Sequence, residues 1–360
     1  MAVRSYAVGD SETVKLWSKR LAREALKQTV INDYIRDDGN ALCEMKSETS
    51  KGPGDRISFT LRMQLGGDGV GENETQEGNE EAISTYVDNI YINELSHAFR
   101  GKTKITQQRV PFDLGREGND ALSDWWANRI DTSAFNHLCG YSIQTNPKYT
   151  GFNTPTAPTS GRYLSALAAG TTDEQLTSTN IFTLSMIDKA VEVAETGGSN
   201  GLVPIRPIKG LPGGAKYVCF IHPTQQTSLR IDTSSGSWLD MQKALLMGGE
   251  GEKSKLWKGG LGVWNETLIV KANRITNGIN STTSAAISTV RRAVFCGAQA
   301  LVTAYGQGYG PEKWDVQEET FDYGRQYGAN GLNIFGFKKA VFNSSDFATI
   351  VLPSYAANAA

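Results

Sequence analysis

Residues 57–81 read ISFTLRMQLGGDGVGENETQEGNEE, an ordered half followed by an irregular one. In the first nine residues apolar and polar side chains alternate, with Ile57, Phe59 and Leu61 on one side and Ser58 on the other. This period of two predicts a half-buried strand. Residues 66–81 are rich in Gly, Asn and acidic side chains, and a loop of that length is uncommon in a compact domain unless it is functional.

A second extended stretch, AISTYVDNIYINEL at 82–95, follows this loop. We predict that it returns beside the first strand and forms a long two-stranded arm whose tip is residues 66–81. A two-stranded hairpin is marginally stable alone, so the arm needs another surface to lie on. The tip carries six acidic and no basic side chains, namely Asp68, Glu72, Glu74, Glu77, Glu80 and Glu81.

An amphipathic helix is predicted ahead of the arm. Asp10 and Ser11 suit a helix N-cap, and apolar residues from Val14 to Ala25 then recur on one face. The opposite face is basic, and it is either a solvated surface or a docking face for an acidic partner. Its cations include Lys15, Lys19, Arg20 and Arg23, and Lys27 follows them.

A long helix is predicted over residues 116–138, REGNDALSDWWANRIDTSAFNHL, where apolar residues such as Trp126 and Ile130 recur every four positions. About 23 helical residues span roughly 35 Å, so this helix serves as a structural spine. Residues 141–180 then shift to Thr, Ser, Pro, Gly and Asn, which predicts a loop-rich connection and a domain boundary.

Helix and strand signals alternate beyond this connection. A helix is predicted near 181–196, a central buried strand at AKYVCFI (215–221), and a helix starting at Pro223. The remaining predictions are a helix at WLDMQKALLM, a glycine-rich loop at 248–262, strands at ETLIVKA and RRAVFC, a short helix at AQALVTAY, and extended segments over the last fifty residues.

Composition excludes several classes of protein. The 36 basic and 38 acidic residues leave a net charge of −2, which argues against electrostatic nucleic-acid binding. Four scattered cysteines without a CxxC pair predict a reduced, cytosolic setting. The longest apolar run is far short of the roughly 20 residues needed to cross a bilayer, so we expect no membrane partner.

Motifs for chemistry are also missing. GGDGVG at 66–71 is not G-x-G-x-x-G, and in GGEGEKS at 248–254 Glu252 separates the glycine from the lysine of a phosphate loop. His97, His137 and His222 lack metal-site spacing and read as surface or packing residues, and the acidic tip lacks the calcium-loop pattern. We expect no catalytic residue, no cofactor, no metal and no enzymatic activity.

Four stretches carry a family resemblance: GDRISFTLRMQLGGDGV (54–70), EGNEEAISTY (77–86), DALSDWWANRIDTSAFNHLCG (120–140) and GAQAL (297–301). In these the chain resembles the major capsid proteins of tailed bacteriophages, whose core fold is shared by herpesvirus and encapsulin shell proteins. The resemblance covers roughly 10–350. It implies an α+β fold with four parts: an N-terminal arm (1–55), an extended loop (56–95), a peripheral domain (96–180 and 311–360) and an α/β axial domain (181–310).

The function implied by this resemblance is that of a structural major capsid protein of a tailed double-stranded DNA phage. Copies would assemble in the bacterial host cytoplasm into pentamers and hexamers of an icosahedral shell around the genome. The extended loop would lie across a neighbouring copy, so the acidic tip residues and the cations of the N-terminal helix are the candidate intersubunit contacts. No lysine lies between Ile57 and Leu95, so we expect no isopeptide cross-link through the loop.

Other partners are also implied by the resemblance. The arm helix begins near residue 11, so we expect scaffolding to be a separate protein, together with a portal and, as an optional partner, decoration proteins. Packaged DNA would lie near the shell without specific binding. Two alternatives stay open from sequence: an encapsulin-like nanocompartment shell protein, and an α/β hydrolase or nucleotide-using enzyme.

Overall fold

A computed structural model describes residues 29–46, 48, 54–62, 65, 69–72, 75–101, 104–109, 114–168, 170–198, 202–231 and 260–358. The predicted N-terminal helix and the helix at WLDMQKALLM lie outside these residues. Most of the predicted glycine-rich loop, up to residue 259, also lies outside them.

The described helices and strands follow in chain order. The helices are α1 (Lys104–Arg109), α2 (Leu114–Leu138), α3 (Pro147–Thr150), α4 (Leu184–Thr196) and α5 (Pro223–Ile231). The strands are β1 (Ile35–Arg36), β2 (Cys43–Lys46), β3 (Arg56–Arg62), β4 (Thr85–Tyr91), β5 (Asn93–Arg100), β6 (Tyr217–Ile221), β7 (Gly260–Trp264), β8 (Thr267–Lys271), β9 (Asn277–Ile279), β10 (Ala286–Cys296), β11 (Leu301–Tyr305), β12 (Asp315–Phe321), β13 (Gln326–Lys339), β14 (Val341–Phe342), β15 (Ser345–Asp346) and β16 (Thr349–Tyr355).

One six-stranded sheet packs against the spine helix α2. Its strand order is β1-β2-β11-β13-β12, with β5 also paired to β13. Trp126 on α2 is fully buried, and its ring centroid lies 4.8 Å from that of Trp314 and 6.2 Å from that of Phe335 on β13. The predicted spine is therefore confirmed, and it begins at Leu114, two residues earlier than the pattern indicated.

The spine helix is more deeply buried than an amphipathic stripe requires. From Ser133 to Leu138 every residue is buried, polar ones included, such as Asn136 and His137. A helix enclosed on all sides holds polar side chains only when they find partners, and the Asn136 side-chain amide donates to the backbone oxygen of Tyr149. This end of α2 lies in the interior of the subunit.

The second six-stranded sheet has the order β16-β10-β6-β8-β7, with β9 paired to β10. All five residues of β6 are buried between antiparallel β10 and parallel β8, which confirms the predicted central strand. Helix α4 confirms the prediction near 181–196. It ends where Gly197 adopts φ 77°, a position where a Cβ would lie 2.0 Å from the backbone oxygen of Leu202.

The predicted short helix at 298–305 is wrong. Residues Leu301–Tyr305 form strand β11, which runs parallel to β2 and antiparallel to β13 and is buried along its whole length. A short apolar run has no periodicity that separates a buried helix from a buried strand. Here the two neighbouring strands decide the conformation. Strand β7 likewise begins at Gly260, inside the predicted glycine-rich loop.

The loop-rich segment 141–180 is confirmed, and it does more than connect. Tyr163 and Ile181 each form an isolated parallel bridge to β16, so the segment lies along the edge of the second sheet. Strand β11 lies in the predicted axial domain but belongs to the sheet that contains β13, whereas β16 lies in the predicted peripheral domain but belongs to the sheet that contains β6. The two sheets therefore do not divide the chain at the predicted domain boundaries. The division into peripheral and axial domains stays a prediction.

In the described part of the chain, no helix is both long enough and apolar enough to span a bilayer.

Replacing Trp126 by Ala should destabilise the subunit by about 3–5 kcal/mol, because a large, fully buried side chain is lost from the contact between α2 and β13. The neighbouring Trp125 is only partly buried and is the matched control, for which we expect a clearly smaller loss. Urea unfolding of the unassembled subunit measures both. Equal losses for the two variants would contradict the assignment of Trp126 to the core.

Candidate intersubunit contact surface

The predicted two-stranded arm is present. Strands β3 and β4 pair antiparallel in a sheet of their own, with Ile57 opposite Ile90 and Thr60 opposite Val87. Because side chains alternate along each strand, the pair has two distinct faces. One face meets the body of the subunit and the other faces outward.

The inner face of the arm packs on its own subunit. Ile57 and Ile90 are buried, and the Phe59 ring meets Phe342 edge-on at a centroid distance of 5.7 Å. The two strands of the loop therefore do not reach away from their own subunit. The strands lie on the body, and only their outer face and the tip are available to a neighbour.

An ion pair between a buried carboxylate and a partly buried lysine anchors the arm to β13. The Lys338 ammonium group donates to the Asp88 carboxylate and, at 2.8 Å, to the backbone oxygen of Asn89. The second carboxylate oxygen of Asp88 accepts from the backbone N–H of Val341 at 3.2 Å. Asp88 is buried, so its charge requires these donors.

A second anchor holds the base of the arm at Tyr91. The Asn153 side chain accepts from the Tyr91 N–H at 2.9 Å and donates to the Tyr91 oxygen at 2.8 Å, in the pattern of a strand neighbour. Gly336 on β13 lies so close that a Cβ there would stand 2.1 Å from the Tyr91 oxygen. The arm therefore leaves the body in a defined direction.

The outer face of the arm is partly apolar. Val87 and Tyr91 are 58% and 38% exposed, and Leu65 and Ile83 near the tip are 57% and 65% exposed. Four of the ten large apolar side chains that are exposed in the described residues thus lie on this one element. A concentration of exposed apolar surface on an anchored element is typical of a surface that another chain covers.

The acidic tip is solvent-exposed. Every described residue from 71 to 85 is exposed, including Glu72, Glu77, Glu80 and Glu81. Glu80 accepts from the backbone N–H of Gly78 at 2.8 Å, a contact within the tip. The other predicted contact residues lie outside the described part of the chain: Asp68, Glu74, Lys15, Lys19, Arg20 and Arg23. The role of all ten stays a prediction.

The sequence pattern did not point to Val87 and Tyr91. In TYVDNIY (85–91) both faces carry apolar or aromatic residues, so alternation alone does not tell which face is buried. The assignment depends on Asp88. This side chain faces inward because it pairs with Lys338, which lies 250 residues away in sequence. No local signal contains that information.

The three histidines have ordinary structural partners. His137 is buried with Nε2 3.0 Å from the Thr150 oxygen, and desolvation lowers its pKa to about 4. His97 stacks on Trp125 at a centroid distance of 4.1 Å. His222 Nδ1 lies 2.7 Å from the Thr224 hydroxyl. Across the described residues, no group of three or more His, Cys, Asp or Glu side chains is placed to hold a metal ion.

Two sheets, a central spine helix and an anchored arm make up a subunit of α+β class, and the chain belongs to the phage capsid protein family, whose model matches residues 5–358. It is 26% identical to the major capsid protein of Pseudomonas phage KPP25 in an alignment that covers 94% of each chain. The expected fold and the expected class of structural capsid protein are both confirmed.

Solved structures show the same fold. The capsid of Ralstonia phage GP4 matches with a TM-score of 0.76 and 27% identity, and the match covers all of both chains. The capsid of cyanophage Pam1 matches with a TM-score of 0.70 at 17% identity, over 99% of this chain and 95% of the other.

Replacing Lys338 by Ala should destabilise the subunit by about 1.5–3 kcal/mol, because the Asp88 carboxylate is left buried without its cation. Arg325 forms an exposed pair with Asp322 and is the matched control, for which Ala should cost roughly 0–1 kcal/mol. Urea unfolding compares the two variants. If the losses are equal, Asp88 and Lys338 do not anchor the arm.

Proposed function

We propose that this chain is the subunit of pentamers and hexamers in an icosahedral shell around double-stranded DNA, and that the arm is the clasp between neighbouring copies. One observation supports this proposal above the others: the arm is anchored through its inner face while its outer face keeps Val87 and Tyr91 exposed. A rigidly held apolar surface binds a partner without a large loss of conformational entropy.

The strength of such a clasp suits a shell. Burial of apolar surface contributes about 25 cal/mol per Å², so a few hundred Å² on the arm contribute several kcal/mol before the cost of association. Contacts of that size are individually reversible, which lets misplaced subunits leave during assembly. The closed shell is then stabilised by the number of contacts.

The charges of the tip would add orientation more than strength. An acidic tip is attracted to a basic surface on a neighbour such as the helix face with Lys15, Lys19, Arg20 and Arg23. Each exposed ion pair contributes roughly 0–1 kcal/mol and is screened at high salt. The tip would therefore guide the approach of two copies, and the apolar face would hold them.

The proposed function involves no chemical reaction, and we assign no catalytic residue. Assembly in the reducing cytoplasm of the bacterial host is compatible with the four cysteines, all of which are free and buried. A separate scaffolding protein, a portal and optional decoration proteins remain the expected partners. The packaged DNA would make no specific contact, in keeping with the net charge of −2.

Replacing Val87 by Glu should prevent shell formation while leaving the melting temperature of the subunit nearly unchanged, because the new charge lies on an exposed face. Ile90 lies on the same strand but is fully buried, and its replacement by Ala should cost about 2–5 kcal/mol of folding free energy. Negative-stain microscopy of material from expressing cells, with the scaffold present, measures assembly, and thermal melting measures folding.

The wild-type chain should form closed shells in the same experiment. A stable monomer under every condition would rule out the proposed function. Normal shells from the Val87 variant would show that the outer face is not the clasp. Shells that enclose protein cargo in place of DNA would identify the encapsulin-like alternative.

Replacing residues 66–81 by a short Gly-Ser turn should cripple assembly while leaving the melting curve nearly unchanged, because the described tip residues are exposed apart from the partly buried Val70. A charge-only variant, with Glu72, Glu74, Glu77, Glu80 and Glu81 changed to Gln, should weaken assembly most at low salt. Light scattering follows assembly. Earlier melting of the shortened protein would mean that the tip belongs to its own domain, and unimpaired assembly would remove it from the contact.

A further inference from the structure

Asp131, on the spine helix α2, holds the first described residues of the chain. Its two carboxylate oxygens accept from the Val30 N–H at 3.1 and 3.0 Å, and Oδ1 also accepts from the Ile31 N–H at 3.2 Å. The side chain is only 5% exposed. These hydrogen bonds join positions about 100 residues apart in sequence.

The captured backbone needs an acceptor from elsewhere. Ile31 is the N-cap of a single helical turn, Asn32–Tyr34, and its own side chain makes no capping hydrogen bond. The first N–H groups of a helical turn have no partner within the turn. Asp131 supplies a charged acceptor for the N–H of Ile31, the N-cap, and for the N–H of Val30 just before it.

Several charged groups surround this carboxylate. Arg274, Lys271 and Asp124 line, together with Asp131 and Val30, a groove of about 540 Å³ beside α2. Of these, Arg274 acts to lower the pKa of Asp131. The captured turn itself carries Asp33 and Tyr34.

The carboxyl group titrates close to neutral pH. Burial raises the pKa of Asp131 to about 6, and the hydrogen bonds from Val30 and Ile31 offset only part of that effect. Because these two bonds lower the pKa, they favour the ionised carboxylate. By linkage, the bonds to Val30 and Ile31 are stronger when the carboxyl group is ionised, by the same free energy by which these bonds favour ionisation.

We propose that Asp131 is a charge-dependent clasp, whose ionised carboxylate holds Val30 and Ile31 against the spine helix and whose protonation loosens them. Val30 and Ile31 lie at the N-terminal end of the described residues, so the clasp sets how firmly this end is held against α2. The proposal is independent of the intersubunit role of the arm, which involves other residues.

Acid loosens the clasp, but through Asp131 it stabilises the fold as a whole. The pKa of Asp131 in the folded chain lies above the usual 3.8, so the folded subunit takes up a proton as the pH falls through about 6. The contribution of this group to stability is fully present below pH 3.8 and is lost as the pH rises through about 6. Mild acid therefore loosens the clasp without Asp131 driving unfolding.

Hydrogen exchange of the full-length, unassembled subunit tests the clasp. The protection of the Val30 and Ile31 amides, corrected for the intrinsic pH dependence of exchange, should fall roughly tenfold between about pH 7.5 and 5 as a charge-assisted bond becomes a neutral one. The midpoint should lie near pH 6. Absence of this step in the wild-type chain overturns the proposal, whatever the variants do.

Two variants identify the titrating group. Asp131→Asn should show low protection of Val30 and Ile31 at every pH, with no step, and should melt no earlier than wild type at neutral pH because a buried charge is removed. Asp124→Asn, in the same groove, should keep the step. A step that persists in Asp131→Asn, or that disappears in Asp124→Asn, overturns the assignment to Asp131.

Discussion

The 14-residue strand β13 is the constraint on which the other elements depend. It pairs with β12 over residues 326–332, with β5 over 328–335 and with β11 over 335–339, and it packs against the spine helix through Phe335. The same strand supplies Gly336 and Lys338, which fix the base of the arm at Tyr91 and Asp88. A shift of β13 by one residue would turn the Lys338 side chain to the opposite face and would place a residue with a Cβ where Gly336 meets the Tyr91 oxygen, so the register of one strand determines both the core and the direction of the arm.

Buried ion pairs hold the loop-rich segment 141–180 in place. Lys339, at the end of β13, forms a fully buried pair with Asp346 at 2.7 Å and donates to the Thr156 oxygen at 3.1 Å. Burial lowers the pKa of Lys339, and Asp346 opposes that change. Arg292 and Asp173 form a second such pair at 2.7 Å. Because a buried charge without its partner is strongly unfavourable, each pair selects one path for residues 141–180 across the sheets.

Periodicity in the sequence was sufficient for elements whose two faces differ or whose length is distinctive. Strand β3 and the spine helix are predicted on that basis, whereas the central strand β6 is predicted from a short, continuous apolar run. Strand β11 was mistaken for a helix because five buried residues in a row carry no period, and its partners β2 and β13 come from distant parts of the chain. The contacts of Asp88 with Lys338 and of Asp131 with Val30 likewise span 250 and 101 residues. Such long-range contacts cannot be predicted from the local sequence pattern.

The composition of the outer face of the arm limits the kinds of surface with which it can associate. In the described residues β3 and β4 pair only with each other. The outer edge of β4 is partly occupied by its own subunit, through Asn153 at Tyr91 and Lys338 at Asn89, so it is mainly the outer edge of β3 that offers backbone groups to another chain. Edges of this kind aggregate when they are long and apolar. Here Arg56 and Arg62 flank the apolar residues, and Ser58 donates to the Asn89 side chain at 2.6 Å across the same face. Charged and hydrogen-bonded side chains limit the apolar area to a few side chains, so a contact with an ill-fitting surface is weak. Only a neighbour that covers Val87 and Tyr91 while leaving the two arginines solvated or paired gains the full contact energy, which favours ordered assembly over aggregation.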